Sequence, residues 1–307
     1  MDWDKLVQII VNGLTLGSVY ALVALGFSMV YGILKLLNFA HGDVLMVGAF
    51  IGWGVLGRLG GSLDPSVPVA MLIVLMLAAA MIGCGFLGVV IERFAYRPLR
   101  NAPRIAPLIS ALGVSFFIQN SVLLLWGADF RSYDTFDLVD PLQGIHAGPL
   151  NVWVIRLVVM GGAVAMMMGL YGLVNFTKLG KAMQATAFDR EAASMMGIDV
   201  DKVIVRTFSI GSALAGAAGV LVGLVFGQIN HFMGFNYGLK GFTAAVVGGI
   251  GSIPGAMFGG LFIGLAEAFA AGYVSNTFKD LIVFSILIAV MIFRPNGLLG
   301  KGTVSKV

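Results

Sequence analysis

The sequence predicts an all-α polytopic integral membrane protein with about eight or nine transmembrane segments, some of them broken or re-entrant. Three observations carry this reading. Of 307 residues, 59% are hydrophobic and only 11% are charged, against about 25% charged in an ordinary soluble domain. Mean hydropathy is +0.96. Apolar runs recur along the whole chain at lengths near the ~20 residues that a helix needs to cross the hydrocarbon. The polar segments between them are short, so residues 1–307 form one transmembrane domain.

The runs are taken in order. The first, 6–32, lacks a basic leading region and is too long for the apolar core of a signal peptide, so it reads as a retained span. The next, 43–59, is somewhat short. The runs 67–91, 106–127, 151–176, 205–227, 254–274 and 278–294 bring the number to eight. The piece 239–252 is short and glycine-rich and reads as a broken or re-entrant element. Orientation follows the basic loops. The loop 92–105 carries Arg93, Arg97, Arg100 and Arg104. The loop 177–204 carries Lys178, Lys181, Arg190 and Lys202, and the tail carries Arg294, Lys301 and Lys306. The loop 128–150 sets Arg131 against Asp129, Asp134, Asp137 and Asp140. The first three are therefore expected on the cytoplasmic side and 128–150 outside. An external N-terminus and an internal C-terminus require an odd number of crossings, which favours nine.

Several function classes drop out. The net charge of +4 is small, and its basic residues sit in loops as topology signals, so no nucleic-acid partner is expected. The single cysteine, Cys84, lies inside an apolar run and reads as a buried thiol. Gly180-Lys181 and Gly300-Lys301 lack the flanking glycine and Ser/Thr of a phosphate cradle. If ATP is used, another chain uses it. No metal-ligand spacing and no nucleophile elbow is present, so the chain is not expected to be an enzyme or to hold a cofactor.

Small residues recur every four positions, at Gly211, Ala215, Gly219 and Gly223 and again at Gly251, Gly255 and Gly259, with Gly260 and Gly264 alongside. Such stripes let membrane helices approach closely. Polar residues inside this greasy chain stand out more. The stretch KLLNFAHGDVLMVGAF, residues 35–50, holds Asn38, His41 and Asp43. A helix break there, with Asn38 or Asp43 capping the following helix, suits three readings: a cytoplasmic turn, a structural polar network, or a contact on a substrate path. A second polar break, QINHFMGFNYGLKGF, carries Asn230 and also precedes a glycine-rich helix. Glu267 lies well inside a span, where an acid is costly and must face protein or water. Glu92 reads as an interfacial residue at a span end.

The segment 177–204 reads as one helix that ends at Gly197. Its apolar face is Ala182, Ala185, Phe188, Ala192 and Met195, with Lys181, Gln184, Glu191 and Ser194 on another face. It suits either docking into a groove on a cytoplasmic partner or resting on lipid headgroups.

Glu191-Ala192-Ala193, three residues and then Gly197 resembles the start of the coupling motif of ABC-importer permeases, without the downstream Ile-x-Leu-Pro. The stretches GLTLGSVYALVALGFSMVYGILKLLNFAHGDVLMVGAF and GFTAAVVGGIGSIPGAMFGGLFIGLAE, with the RPNGLLG ending, are similar to branched-chain amino-acid permeases of the LivH family. The resemblance covers nearly the whole chain. It implies a permease subunit of an ABC importer in the bacterial inner membrane, moving branched-chain or other hydrophobic amino acids by alternating access. It also implies three kinds of partner: a second related permease, two cytoplasmic ATPase subunits that use ATP and Mg, and an external substrate-binding protein. The coupling residues would be Ala185, Phe188, Asp189, Arg190, Glu191, Ala192, Ala193, Met196 and Gly197, with Arg190 and Glu191 pairing with charges at the groove rim. Relatives that move urea, short amides or aromatic acids leave the substrate open. A stand-alone ion-coupled carrier using Glu267 and Asp43, or a channel for a small neutral solute, is a rival that needs no such arm.

Overall fold

The computed structural model describes residues 3–59, 69–100, 102–103, 105–133, 144–147 and 150–300. Asp134, Asp137, Asp140, Arg104, Lys301 and Lys306, used above for orientation, lie outside the described residues. The helices are α1 (Trp3–Leu34), α2 (His41–Leu59), α3 (Val69–Ile91), α4 (Ile105–Trp126), α5 (Val154–Phe176), α6 (Lys178–Phe188), α7 (Arg190–Met195), α8 (Val200–Phe226), α9 (Met233–Gly248), α10 (Ile253–Phe269) and α11 (Lys279–Phe293). A π-turn at Glu92–Tyr96 and a 3-10 turn at Arg97–Leu99 prolong α3, and a π-turn at Ala270–Val274 prolongs α10. Short antiparallel strands add to the all-α expectation: β1 (Arg131–Ser132) pairs with β4 (Gln228–Ile229), and β2 (Gly144–Ala147) with β3 (Leu150–Trp153). The run 151–176 thus opens on a strand.

Among the described residues, seven helices are long and apolar enough to cross a membrane. The expected run 278–294 contains a helix of only 15 residues, and α9 has 16; both fall short of the usual ~20. Connectivity nevertheless has each carry the chain between the two ends of the bundle. The turn after α9 brings Gly251 to Gly32, near the end of α1. From there α10 runs antiparallel to α1, with Gly260 against Ala21 and Gly264 against Gly17. After α11 the chain returns to the same end, where the Leu298 and Leu299 N–H groups donate to the Val247 and Gly248 carbonyls at 2.8 and 3.0 Å. The RPNGLLG ending therefore satisfies the last carbonyls of α9, which a helix terminus leaves without partners. Gly249 and Gly297 meet there with φ of 110° and 77°, values that glycine adopts without cost.

The core lies around α1 and α8. Their most apolar windows are 72% and 78% buried, against 33% for α3 and 28% for α4 and α5. The small-residue stripes serve this packing inside the chain. A Cβ on Gly219 would stand 2.0 Å from the Leu45 carbonyl oxygen of α2, and one on Gly216 would stand 2.7 Å from the Cys84 Sγ of α3. The buried Cys84 thiol lies 3.3 Å from the Val44 carbonyl. Gly219→Val is accordingly expected to force α2 and α8 apart at a cost of at least 1–3 kcal/mol, roughly. It should lower the yield of monodisperse protein and its unfolding temperature in detergent, whereas Gly161→Val, at an open position, should change neither.

Candidate functional site

Two breaks in the helical pattern converge in the interior. At the first, Lys35 adopts φ of 56° and its N–H donates to the Tyr31 carbonyl at 2.8 Å, which ends α1. Residues 35–38 run without helix, and α2 starts at His41. The first free N–H groups of α2 are met by main chain: His41 donates to the Asn38 carbonyl at 3.1 Å and Val44 to the Ala40 carbonyl at 3.0 Å. The expected capping by the Asn38 or Asp43 side chain does not occur, because both side chains are engaged elsewhere. Asn38, His41 and Asp43 are 2%, 1% and 1% exposed, so this is no solvated turn. The Tyr96 hydroxyl lies 3.1 Å from the Leu37 carbonyl and 3.2 Å from Asn38 Oδ1. The His41 ring packs edge-on against Phe27 with centroids 4.7 Å apart, in space that Gly26 leaves free.

The second break leads into α9, and the two meet directly. A Cβ on Gly42 would stand 2.3 Å from the Gly234 carbonyl oxygen, and one on Gly238 would stand 2.9 Å from the Gly42 Cα. Asn230 takes no part in this meeting. Its side chain accepts the Phe232 N–H at 2.9 Å and shapes the turn before α9.

Asp43 looks out from this junction. Its carboxylate accepts hydrogen bonds from the Ser115 hydroxyl and, at 2.9 Å, from Gln119 Nε2. It lines a cavity of about 290 Å³ between α4 and α9, walled by Phe27, Phe39, Phe116, Phe235 and Phe242. That volume is at the small end of ligand pockets, and an apolar wall with few convergent polar groups is their usual composition. Sequence reading did not find Ser115 and Gln119. Their spacing of four, on one face of an apolar span, was the available signal.

Glu267 belongs to a separate cluster. It is 3% exposed. Tyr20 donates to its Oε2 at 2.8 Å, and Lys240 Nζ lies 2.6 Å from its Oε1 and 2.8 Å from Asp280 Oδ1. Lys240, a lone lysine in the glycine-rich piece, is the partner that the sequence reading missed. Glu92 is not interfacial: it is fully buried and pairs with Arg100, which also pairs with Asp201. Arg97 joins the same Asp201 at 3.1 Å. Half of the basic loop thus ties α3 to the start of α8.

The segment 177–204 is two helices, not one. Thr177 caps α6 through the Gly180 N–H. Asp189, at φ of −154° and ψ of 116°, stops the helix and accepts the Glu191 and Ala192 N–H groups, starting α7; this side-chain competition with the helix ladder is characteristic of aspartate. The packed face also differs from the expected one. Met183, Thr186 and Ala193 are buried, whereas Phe188, Met195 and Met196 are 87%, 87% and 82% exposed. Arg190 turns inward: its guanidinium donates to the Ile33 carbonyl at 2.6 Å, so it is not free for a groove rim. Burial first, and then the nearby positive Arg100, lowers its pKa from the ordinary arginine value. Glu191, Ala192 and Gly197 are exposed.

The family model described as branched-chain amino acid transport system / permease component matches residues 9–291. The chain belongs to this family. It is 44% identical over 303 residues to the high-affinity branched-chain amino acid transport system permease protein BraD of Pseudomonas aeruginosa, covering 98% of this chain and 97% of that one. It is 40% identical over 313 residues to the protein of the same description, LivH, of Escherichia coli, covering 96% of each. A probable branched-chain amino acid transport permease protein LivH of Methanocaldococcus jannaschii is 28% identical over 309 residues, covering 95% of this chain and 92% of that one. As a member of this family, the chain is a multi-pass membrane permease and one component of a transport system.

Proposed function

We propose that the chain is the transmembrane permease subunit of an ABC importer that brings branched-chain or other hydrophobic amino acids across the bacterial inner membrane. It pairs with a second, related permease. An external binding protein delivers the substrate, and two cytoplasmic ATPase subunits supply ATP and Mg chemistry that this chain lacks. The near full-length identity to permeases of such systems supports the substrate class. The arm formed by α6 and α7 supports the ATPase partners.

That arm is the carrying observation. A stand-alone carrier has no use for helices whose inner face packs on the spans while Phe188, Met195 and Met196 stand in the open. Exposed apolar side chains on an arm outside the spans support a docking surface over a purely solvated linker; resting on lipid headgroups is the alternative that the copurification test below excludes. Ala185, Asp189, Glu191, Ala192 and Gly197 frame this surface, Asp189 by holding the bend between the two helices. Ala193 packs inward and acts as support. With the arm cytoplasmic, 128–150 is external; the cavity lined by Asp43 supports placing the break at Asn38–Asp43 on the substrate path.

Phe188→Asp and Ala192→Trp change exposed positions and are expected to leave the spans folded. Each should reduce copurification of the ATPase subunits at least tenfold and abolish uptake in proteoliposomes. Normal complex yield with normal uptake in both variants would refute the docking role. Accumulation of leucine by vesicles that contain this chain alone would refute the ABC-importer reading itself.

A further inference from the structure

Among the described residues, three acids are buried: Asp43, Glu92 and Glu267. Two of them have a cation. Glu92 pairs with Arg100, and Glu267 with Lys240 and, at 3.8 Å, Lys279. Asp43 has two neutral donors, Ser115 and Gln119, and no described basic side chain forms an ion pair with it. A buried carboxylate without a counter-charge is expensive in a water-poor interior. This one also differs from the others in facing the aromatic cavity between α4 and α9.

We propose that Asp43 is the counter-ion for the ammonium group of the transported amino acid, held at the polar end of that cavity while Phe27, Phe39 and Phe242 enclose the apolar side chain. The inference rests on the importer reading and narrows it. A cationic ammonium relieves the unpaired carboxylate and forms charge-assisted hydrogen bonds with it. Ser115 and Gln119 hold the carboxylate in place, so the ammonium meets a preorganised acceptor. A neutral amide or urea gains less at this end, and a deaminated aromatic acid would bring a carboxylate with no ammonium beside it to offset the repulsion. The cavity thus selects an amine joined to an apolar body. The position at the meeting of the two breaks, Gly42 against Gly234 and Gly238, places that recognition where α2 and α9 both start. Relative movement of the two helix starts would open or close it.

The test uses the complete importer, with both permeases, the ATPases and the binding protein, in proteoliposomes. Asp43→Asn keeps the shape and the amide can still bond to Ser115 and Gln119. It is expected to cut leucine uptake at least tenfold with complex yield unchanged, and Asp43→Glu is expected to recover part of the loss. If the wild-type complex imports leucine and Asp43→Asn imports it equally well, the ammonium role falls and the importer reading stands. If the wild-type complex imports no branched-chain amino acid, both fall. Should Asp43→Asn fail to assemble, the wild-type protein supplies the answer. Dicyclohexylcarbodiimide, an apolar carboxyl reagent, is expected to label Asp43 several-fold less during leucine transport, read by peptide mass spectrometry. Labelling indifferent to leucine would overturn the proposal.

Discussion

Lys240→Met is expected to be strongly destabilising in the interior of this permease. Lys240 is 8% exposed and Glu267 3%. Removing the ammonium leaves the Glu267 carboxylate with the Tyr20 hydroxyl at 2.8 Å and a lysine, Lys279, at 3.8 Å. Breaking a buried pair by deleting one partner costs about 3–5 kcal/mol, because the remaining charge keeps its desolvation penalty and loses its compensation. The loss should fall near the lower figure, since Lys279 retains part of the attraction. The consequence reaches four elements, because Tyr20 belongs to α1, Lys240 to α9, Glu267 to α10 and Asp280 to α11. The purified protein should unfold at a clearly lower temperature in detergent. The double variant Lys240→Met, Glu267→Gln removes both charges together and should recover most of the loss. If the single and double variants were equally unstable, packing rather than charge would be the cause.

This cluster is built from residues on separate elements, which local sequence pattern does not connect. Glu267 was visible because an acid in the middle of an apolar run breaks the pattern. Lys240 is equally anomalous, but it falls in a piece whose shortness and glycine content hide its helix, and its partner lies on another element. Periodicity reports which residues share a face of one helix; it says nothing of which faces meet. The same limit hid Ser115 and Gln119 from Asp43, and Arg100 from Glu92. The spans were legible, since their lengths and apolarity are local properties. The break at residues 35–40 was legible as a cluster of polar residues. Its depth in the fold was not, because Gly234 and Gly238, which admit it together with Gly26, belong to a distant segment. The arm at 177–204 reads in sequence as one helix because alanine, methionine and phenylalanine keep the helical period through Asp189. The side chain of Asp189 then overrules that period with two local hydrogen bonds.

Arg190→Met is expected to separate ATP hydrolysis from uptake. Ile33 is in the last turn of α1, where carbonyls have no partner within the helix. Arg190, the first residue of α7, supplies one at 2.6 Å. This bond joins the arm to the end of α1, immediately before the segment that carries Asn38 and leads into α2. If ATPases dock on the arm as proposed, its movement can pull on the break itself and, through it, on the cavity that Asp43 lines. A hydrogen bond from a charged group contributes about 1.5–3 kcal/mol, which corresponds to roughly ten- to a hundredfold in an equilibrium. Methionine keeps the length of the side chain and removes the donor. The exposed face at Phe188 and Met195 is untouched, so the complex should assemble and hydrolyse ATP near the wild-type rate. Leucine taken up per ATP should fall by one to two orders of magnitude. Arg190→Lys retains a single donor on a flexible stem and should fall between. A ratio of uptake to hydrolysis equal to wild type in Arg190→Met would mean that force reaches the break by another route, such as the Arg97, Arg100 and Asp201 pairs at the start of α8. The Arg97→Met variant, which leaves the buried Glu92–Arg100 pair intact, would then show the uncoupling instead.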